Sequence, residues 1–142
     1  MDKSSKIFLV DDELFSLNFH RQSLENLGYS NITLFLSGTT CLNNLHKKPE
    51  LIFLDHNMDD ILGFDVLKKI KRYDSDLFVV MLSAQEEMEI AIDALKFGAF
   101  DYIIKDDNTL IKIQKVMERI ELIKGRLEQS KPTILQKIKS IF

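Results

Sequence analysis

Leu51-Ile52-Phe53-Leu54-Asp55 is the stretch that decides the fold. Four apolar residues run directly into a carboxylate, and His56-Asn57-Met58-Asp59-Asp60 follow without apolar periodicity. An uninterrupted apolar run of this length reads as a strand covered on both faces, the pattern of a parallel sheet. Asp55 then falls where that strand stops, at the sheet edge where open α/β folds place their chemistry. A lone acid there is most simply a turn cap. The rest of the chain must supply any stronger reading.

Outward from this strand, the same pattern recurs. Lys6 to Val10 is an apolar run that ends in Asp11-Asp12-Glu13, and Leu77 to Leu82 ends in Ser83-Ala84. Ile32 to Leu36 reads as a short strand, and Ala99 to Ile104 as the last one, ending at Lys105. Between the strands the period is helical. Leu14, Leu17, Phe19, Leu24 and Leu27 form one apolar face, with Gly28 as its stop. Ser37-Gly38 opens a helix through Cys41, Leu42 and Leu45 that ends near Pro49. Leu62, Val66, Leu67 and Ile70 define a third helix, whose Lys68, Lys69, Lys71 and Arg72 form a solvated outer face. Glu86-Glu87 begin a fourth, with Met88, Ile90, Ala91, Ala94 and Leu95, stopped by Gly98. Asp106-Asp107-Asn108 offer caps to a long amphipathic helix through Ile123. Five alternations of strand and helix predict an α/β fold: a doubly wound, five-stranded parallel sheet with helices on both faces.

The 142 residues make one domain over 1–125, followed by a basic and apolar tail over 126–142. Gly125 and Pro132 are expected to interrupt helical continuity, and Ile134, Leu135, Ile138, Ile141 and Phe142 define one face of a short helix. That face either docks back on the domain or engages a partner. The net charge of −3 argues against direct nucleic-acid binding. The single cysteine, Cys41, permits no internal disulfide and reads as a buried filler in a cytoplasmic protein. No apolar run is long enough for a membrane span. His20, His46 and His56 show no relay pattern and are read as surface or capping residues.

In a parallel sheet all strand C-termini share one edge, so Asp11, Asp12, Asp55, Ser83 and Lys105 should converge. Three carboxylates drawn together repel unless a cation joins them. An all-oxygen ligand set suits Mg²⁺, and an ammonium and a hydroxyl in the same crevice add donors for an anion. The inventory describes a site for a metal and a phosphoryl group together.

These residues, in this order, resemble the receiver domain of bacterial two-component response regulators, the family of the chemotaxis response regulator. The resemblance rests on Val10-Asp11-Asp12-Glu13, Leu54-Asp55, Gly63, Leu82-Ser83-Ala84 and Gly98-Ala99-Phe100-Asp101-Tyr102-Ile103-Ile104-Lys105, and covers roughly residues 5 to 125. It implies a flavodoxin-like strand order 2-1-3-4-5. It also implies phosphoryl transfer from a histidine kinase or phosphotransfer protein to Asp55, with Mg²⁺ required. By the same resemblance the metal ligands are Asp11, Asp12, Asp55 and the backbone carbonyl of Asn57. Lys105 pairs with Asp55 and then with the phosphoryl oxygens; Ser83 and Tyr102 form a switch; Asn57 and Gln85 tune hydrolysis.

The expected function is therefore a phosphorylation-controlled signalling switch rather than an enzyme, although it can dephosphorylate itself. Its output is an unknown protein bound through helix four, strand five and helix five, with a phosphorylation-linked homodimer as one form. A stand-alone receiver is expected, against a receiver fragment of a longer regulator such as a transcription factor. A haloacid-dehalogenase-like phosphatase is the alternative of another class, but it wants Asp-x-Asp after the first strand, where this chain has Glu13.

Two departures from the family pattern stand out. Asp59-Asp60 follow Met58, and Asp106 follows Lys105, where the family usually has proline. A cis bond before a non-proline costs about 3–4 kcal/mol, so Lys105–Asp106 is expected to be trans with its loop rerouted. The acids themselves read as helix caps.

Overall fold

The computed structural model describes residues 1–84 and 88–130, with side chains up to residue 127. The strands are β1 (Ile7–Val10), β2 (Ile32–Phe35), β3 (Leu51–Asp55), β4 (Phe78–Ser83) and β5 (Asp101–Ile104). The helices are α1 (Leu14–Asn26), α2 (Gly38–Leu42), α3 (Gly63–Tyr73), α4 (Met88–Lys96) and α5 (Thr109–Ser130). All pairings are parallel, in the order β2-β1-β3-β4-β5.

The alternation of side chains along each strand builds two cores. Phe8, Ile52, Leu54, Val79 and Met81 face α2, α3 and α4, packing on Cys41, Val66, Leu67, Ile70 and Ala94. Ile7, Leu9, Leu51, Phe53, Val80 and Leu82 face α1 and α5, packing on Leu17, Leu24, Ile113, Val116, Met117 and Ile120. Every residue of β3 is buried, which is why its sequence shows no alternation. Cys41 is the fully buried filler expected of it, its thiol pushed up to about 12 by burial. Gly28 and Gly98 take positive φ, 100° and 103°, at the ends of α1 and α4.

Several elements depart from the sequence reading. The helix begun at Gly38 stops at Leu42, and a 3₁₀ turn at Leu45–Lys47 completes the connection, with Lys48 at φ 58°. The last strand begins at Asp101: Ala99 N–H still closes the end of α4 on the Ala94 carbonyl, and Phe100 N–H donates to Val79 O of β4 at 2.7 Å just before the strand starts. Gly125 does not interrupt α5, which runs through to Ser130. A Cβ there would touch nothing within 4 Å, so the site is open and the missing side chain costs only propensity. On α1 the buried set is Leu17, His20, Ser23 and Leu24, while Leu14 and Phe19 are exposed. His20 is thus a core residue, not a surface one. On α4 only Ala94 is buried, and Met88 and Leu95 face outward. The expected start at Glu86-Glu87 and the tail helix beyond Ser130 lie outside the described residues.

One glycine fixes the loop after β3. A Cβ on Gly63 would come within 2.3 Å of the Asp55 carbonyl oxygen and 2.8 Å of the His56 Cα, both backbone. Its own N–H donates to the His56 carbonyl at 2.9 Å. Because neither neighbour is a flexible side chain, Gly63→Ala must displace the backbone that carries Asp55. We expect it to lower unfolding stability by about 2–3 kcal/mol in urea titration, whereas Gly125→Ala should be neutral or stabilising.

Candidate functional site

Strand register assembles the site. Val10 pairs with Leu54, so Asp11 and Asp55 leave their strands side by side. Asp55 pairs with Leu82, and Ser83 pairs with Ile104, which brings Ser83 and Lys105 to the same edge. Backbone bonds hold these ends together: His56 N–H donates to Leu82 O at 3.1 Å, and Lys105 N–H donates to Ser83 O at 2.8 Å. Asp11 N–H donates to Phe35 O at 3.1 Å.

Asp11, Asp12 and Asp55 bring one carboxylate oxygen each to within 4.8 Å of one another. Asp11 and Asp55 are buried, and Asp12 is exposed. The Lys105 ammonium donates to Asp11 Oδ2 at 3.0 Å and to Asp55 Oδ1 at 3.1 Å. Burial pushes Asp55 up to about 6, with Asp11 and Asp12 adding to the rise and Lys105 opposing it. Burial alone would lower Lys105, yet Asp55 and Asp11 outweigh it and leave the ammonium above its ordinary range. Asp12 accepts from the Asp59 N–H at 3.1 Å, and Asp11 accepts from the Glu13 N–H at 3.0 Å. The donor set is wholly oxygen and doubly buried, and it carries more negative charge than one lysine balances. That chemistry fits a small hard cation such as Mg²⁺.

Of the remaining expected residues, Ser83 is fully buried at the end of β4. Tyr102 is half-buried in β5 and packs against the α2–α4 core. Asn57 is exposed in the loop two residues past Asp55. Gln85 lies outside the described residues. His56 has a buried Nδ1 with no hydrogen-bond partner among the described residues, and burial lowers its pKa.

The departures from proline are also resolved locally. The Lys105–Asp106 peptide is trans. Asp106 N–H donates to Thr109 Oγ1 at 2.8 Å, and Thr109 Oγ1 donates to Asp106 O at 2.7 Å. The Asp106 carboxylate accepts from Asn108 N–H and from Lys112, each at 2.8 Å. Lys112 reaches the Ile104 carbonyl as well, at 3.1 Å, so it ties the strand end to α5. Asp60 accepts from Gly38 N–H, Thr39 N–H and the Thr39 hydroxyl, and so caps α2 from the loop after β3. Asp60 acts as a cap, as its sequence suggested, whereas Asp106 braces the turn before α5.

The residue that sequence reasoning missed is His20. Its imidazole lies beneath the site, lining a cavity of about 280 Å³ with Ser16, Phe19, Lys105, Asp106 and Thr109. Burial, reinforced by the Lys105 ammonium and opposed by Asp11, pulls it down to about 4. The only sequence signal was its spacing, three residues after Leu17 and four before Leu24.

The family model for the response regulator receiver domain matches residues 7–120. Among curated relatives, the transcriptional regulatory protein ZraR of Escherichia coli O157:H7 is 31% identical over 121 residues, covering 82% of this chain and 27% of the relative. CssR of Bacillus subtilis, also a transcriptional regulatory protein, is 32% identical over 120 residues, covering 82% of this chain and 53% of the relative. The chain thus spans between a quarter and about half of these relatives. Among solved structures, the signal receiver domain of a putative Luxo repressor protein from Vibrio parahaemolyticus superposes with a TM-score of 0.76 at 25% identity, covering 89% of this chain and 95% of that one. The beryllofluoride-activated DrrB receiver domain gives 0.71 at 26%, covering 81% and 98%.

His20 makes the site's foundation pH-sensitive. The unfolded chain takes up this proton near 6.5 and the folded chain only near 4, so the unfolded state holds more protons between those values. Stability from His20 therefore falls as pH drops through that window, by up to about 3 kcal/mol. Asp55, raised to about 6, has the opposite slope below that pH. Removing His20 leaves the Asp55 slope alone, so His20→Gln should gain stability relative to the parent between pH 6.5 and 4.5. Urea titrations at the two pH values check this, and an equal difference at both would show that His20 does not titrate as stated.

Proposed function

The chain belongs to the response regulator receiver domain family, and we propose that it is a phosphorylation-controlled switch taking a phosphoryl group onto Asp55 from a histidine kinase or phosphotransfer protein. The observation that carries this reading is one ammonium bridging two buried carboxylates where the ends of β1, β3 and β5 meet.

Asp55 is the nucleophile. One of its oxygens attacks phosphorus, the N–P bond of the donor phosphohistidine breaks, and the imidazole leaves with the electron pair. The product is an acyl phosphate at the end of β3. Asp11, Asp12, Asp55 and the backbone carbonyl of Asn57 would hold Mg²⁺. When bound, that ion neutralises the crowded carboxylates and the phosphoryl oxygens. Lys105 already lies 3.1 Å from Asp55, so its ammonium transfers to a phosphoryl oxygen with little movement.

Ser83, buried beside Asp55, supplies the hydroxyl that follows the phosphoryl group, and Tyr102 on the adjoining strand passes that movement outward. Asn57 and Gln85 flank the path of attacking water and set how long the phosphoryl group lasts, so the chain consumes its own signal without turning over a substrate. The output surface is α4, β5 and α5, where α4 contributes exposed Met88, Ile92 and Leu95. An output protein or a second copy binds there. The domain spans residues 1–125, and 126–142 form an appended basic segment.

A second reading is favoured by one finding: relatives such as ZraR are much longer than this chain. On that reading the switch is the receiver portion of a longer regulator. The chemistry at Asp55 is the same in both. No described helix is long and apolar enough to cross a membrane, which suits a receiver that meets its kinase in the cytoplasm.

The test uses a small-molecule phosphodonor and Mg²⁺. Acetyl phosphate should label the parent chain at Asp55, and chelation of the metal should abolish the label. Asp55→Asn should take none, and Lys105→Met should be labelled about 100-fold more slowly, the loss expected on deleting one electrostatic stabiliser. Label that persists in Asp55→Asn would overturn the assignment.

A further inference from the structure

Lys105 carries the ammonium that bridges Asp11 and Asp55, yet it follows the last residue of an edge strand. Its N–H donates to the Ser83 carbonyl at 2.8 Å, which secures the side of the backbone that faces β4. The same trans peptide unit turns the Ile104 carbonyl the other way, to the open side of β5. Asp106 follows, so no proline ring restricts the backbone after Lys105. A lysine ammonium sits on a flexible four-carbon stem, and a small rotation at its Cα displaces the nitrogen widely. Keeping that nitrogen on two carboxylates therefore calls for support on the open side.

Lys112, in the first turn of α5, provides it. Its ammonium donates to the Ile104 carbonyl at 3.1 Å and to Asp106 Oδ2 at 2.8 Å. These acceptors belong to the residues immediately before and after Lys105, so one side chain grips both neighbours. The Lys112 N–H donates to the Asn108 carbonyl at 3.0 Å, and the Asn108 N–H donates to Asp106 Oδ1 at 2.8 Å, so the grip closes within a single turn. Lys112 and the Asn108 N–H together hold the Asp106 carboxyl below the usual carboxylate range, which keeps the contact charge-assisted at neutral pH.

We propose that Lys112 is a positioning residue for phosphoryl transfer, fixing the backbone on both sides of Lys105 and so aiming the Lys105 ammonium at Asp55 and its phosphoryl group. The inference rests on Asp55 being the phosphoryl acceptor. The Lys112 ammonium is engaged by Ile104 and Asp106, so its influence on Asp55 passes through Lys105. Magnitudes separate this role from bulk stability. The Lys112 and Asp106 side chains are 35% and 44% exposed, and an ion pair so open to water adds little to global stability. Transfer is more sensitive, because a misplacement of about 1 Å at a reacting group costs up to about 100-fold in rate.

The test is acetyl phosphate labelling of the full-length chain with saturating Mg²⁺. Lys112→Met keeps the alkyl stem and should be labelled about 10-fold more slowly than the parent. Lys112→Arg, which still donates to a carbonyl and a carboxylate, should recover most of the rate. Asp106→Asn weakens one arm of the grip and should fall between the parent and Lys112→Met. Urea midpoints of the three variants should stay near that of the parent. In a Lys105→Met background, adding Lys112→Met should change the rate by less than about twofold, because nothing remains to be aimed. Labelling of Lys112→Met at the parent rate would overturn the proposal, as would a loss that persists undiminished in the Lys105→Met background. Asp106→Asn, which retains the Ile104 contact, decides in the same way should Lys112→Met unfold. A parent chain that takes no label at Asp55 would instead overturn the phosphoryl-acceptor reading, and this inference with it.

Discussion

Everything at the functional edge depends on one electrostatic imbalance. Two buried carboxylates and one exposed one converge at strand ends, and a single ammonium bridges the buried pair. Desolvation makes each buried charge costly, and proximity makes the group costlier still. Lys105 offsets part of that, and burial still leaves Asp55 raised to about 6. The site is therefore held in a state that any added positive charge would relieve. A phosphoryl group alone would worsen it, so on the proposed reading a cation must accompany it.

The imbalance persists because the backbone around it cannot relax. The ends of β1, β3, β4 and β5 are cross-linked by ladder and loop hydrogen bonds, and Gly63 packs on the Asp55 carbonyl too closely for any side chain. The loops that lack the family's prolines are fixed by other means. Asp106 and Thr109 exchange hydrogen bonds while Lys112 gathers the Ile104 carbonyl and the Asp106 carboxylate. Asp60 reaches across to the N-terminus of α2. Proline stiffens a loop by restricting its dihedrals, and here side-chain hydrogen bonds do the same from the folded side. Because two of those anchors are carboxylates, the loops draw on the same acidic character as the site itself.

What was legible in the sequence follows from what was buried on both sides. The inner strands β1 and β3 announced themselves as apolar runs because neither face of them meets water, and the terminal acids, hydroxyl and lysine followed from the rule that parallel strands end together. Helical phase was less legible. α1 buries a histidine and a serine in its inner stripe while Leu14, Phe15 and Phe19 are exposed, so its apolar pattern points the wrong way. Hydrophobicity identifies a face only when the face is uniformly apolar, and the inner face of α1 is not, since His20 and Ser23 share it with Leu17 and Leu24. Gly125 misled for a different reason. Its low propensity is a cost of about 1 kcal/mol, which the packing of a 22-residue helix absorbs.

His20 connects these points. It occupies a core position below Lys105 and is kept neutral by burial and by that ammonium. A neutral imbalance-free floor under Lys105 has a consequence for the charge above it. A protonated His20 would repel the Lys105 ammonium and attract Asp11, and burial beside that ammonium disfavours that proton. A leucine there would give the same neutrality with no polar contact toward the cavity that Asp106 and Thr109 share. Of the two polar residues that obscured α1 in the sequence, His20 lies beside Lys105 at the charged edge, whereas Ser23 satisfies its hydroxyl on the Phe19 carbonyl of its own helix.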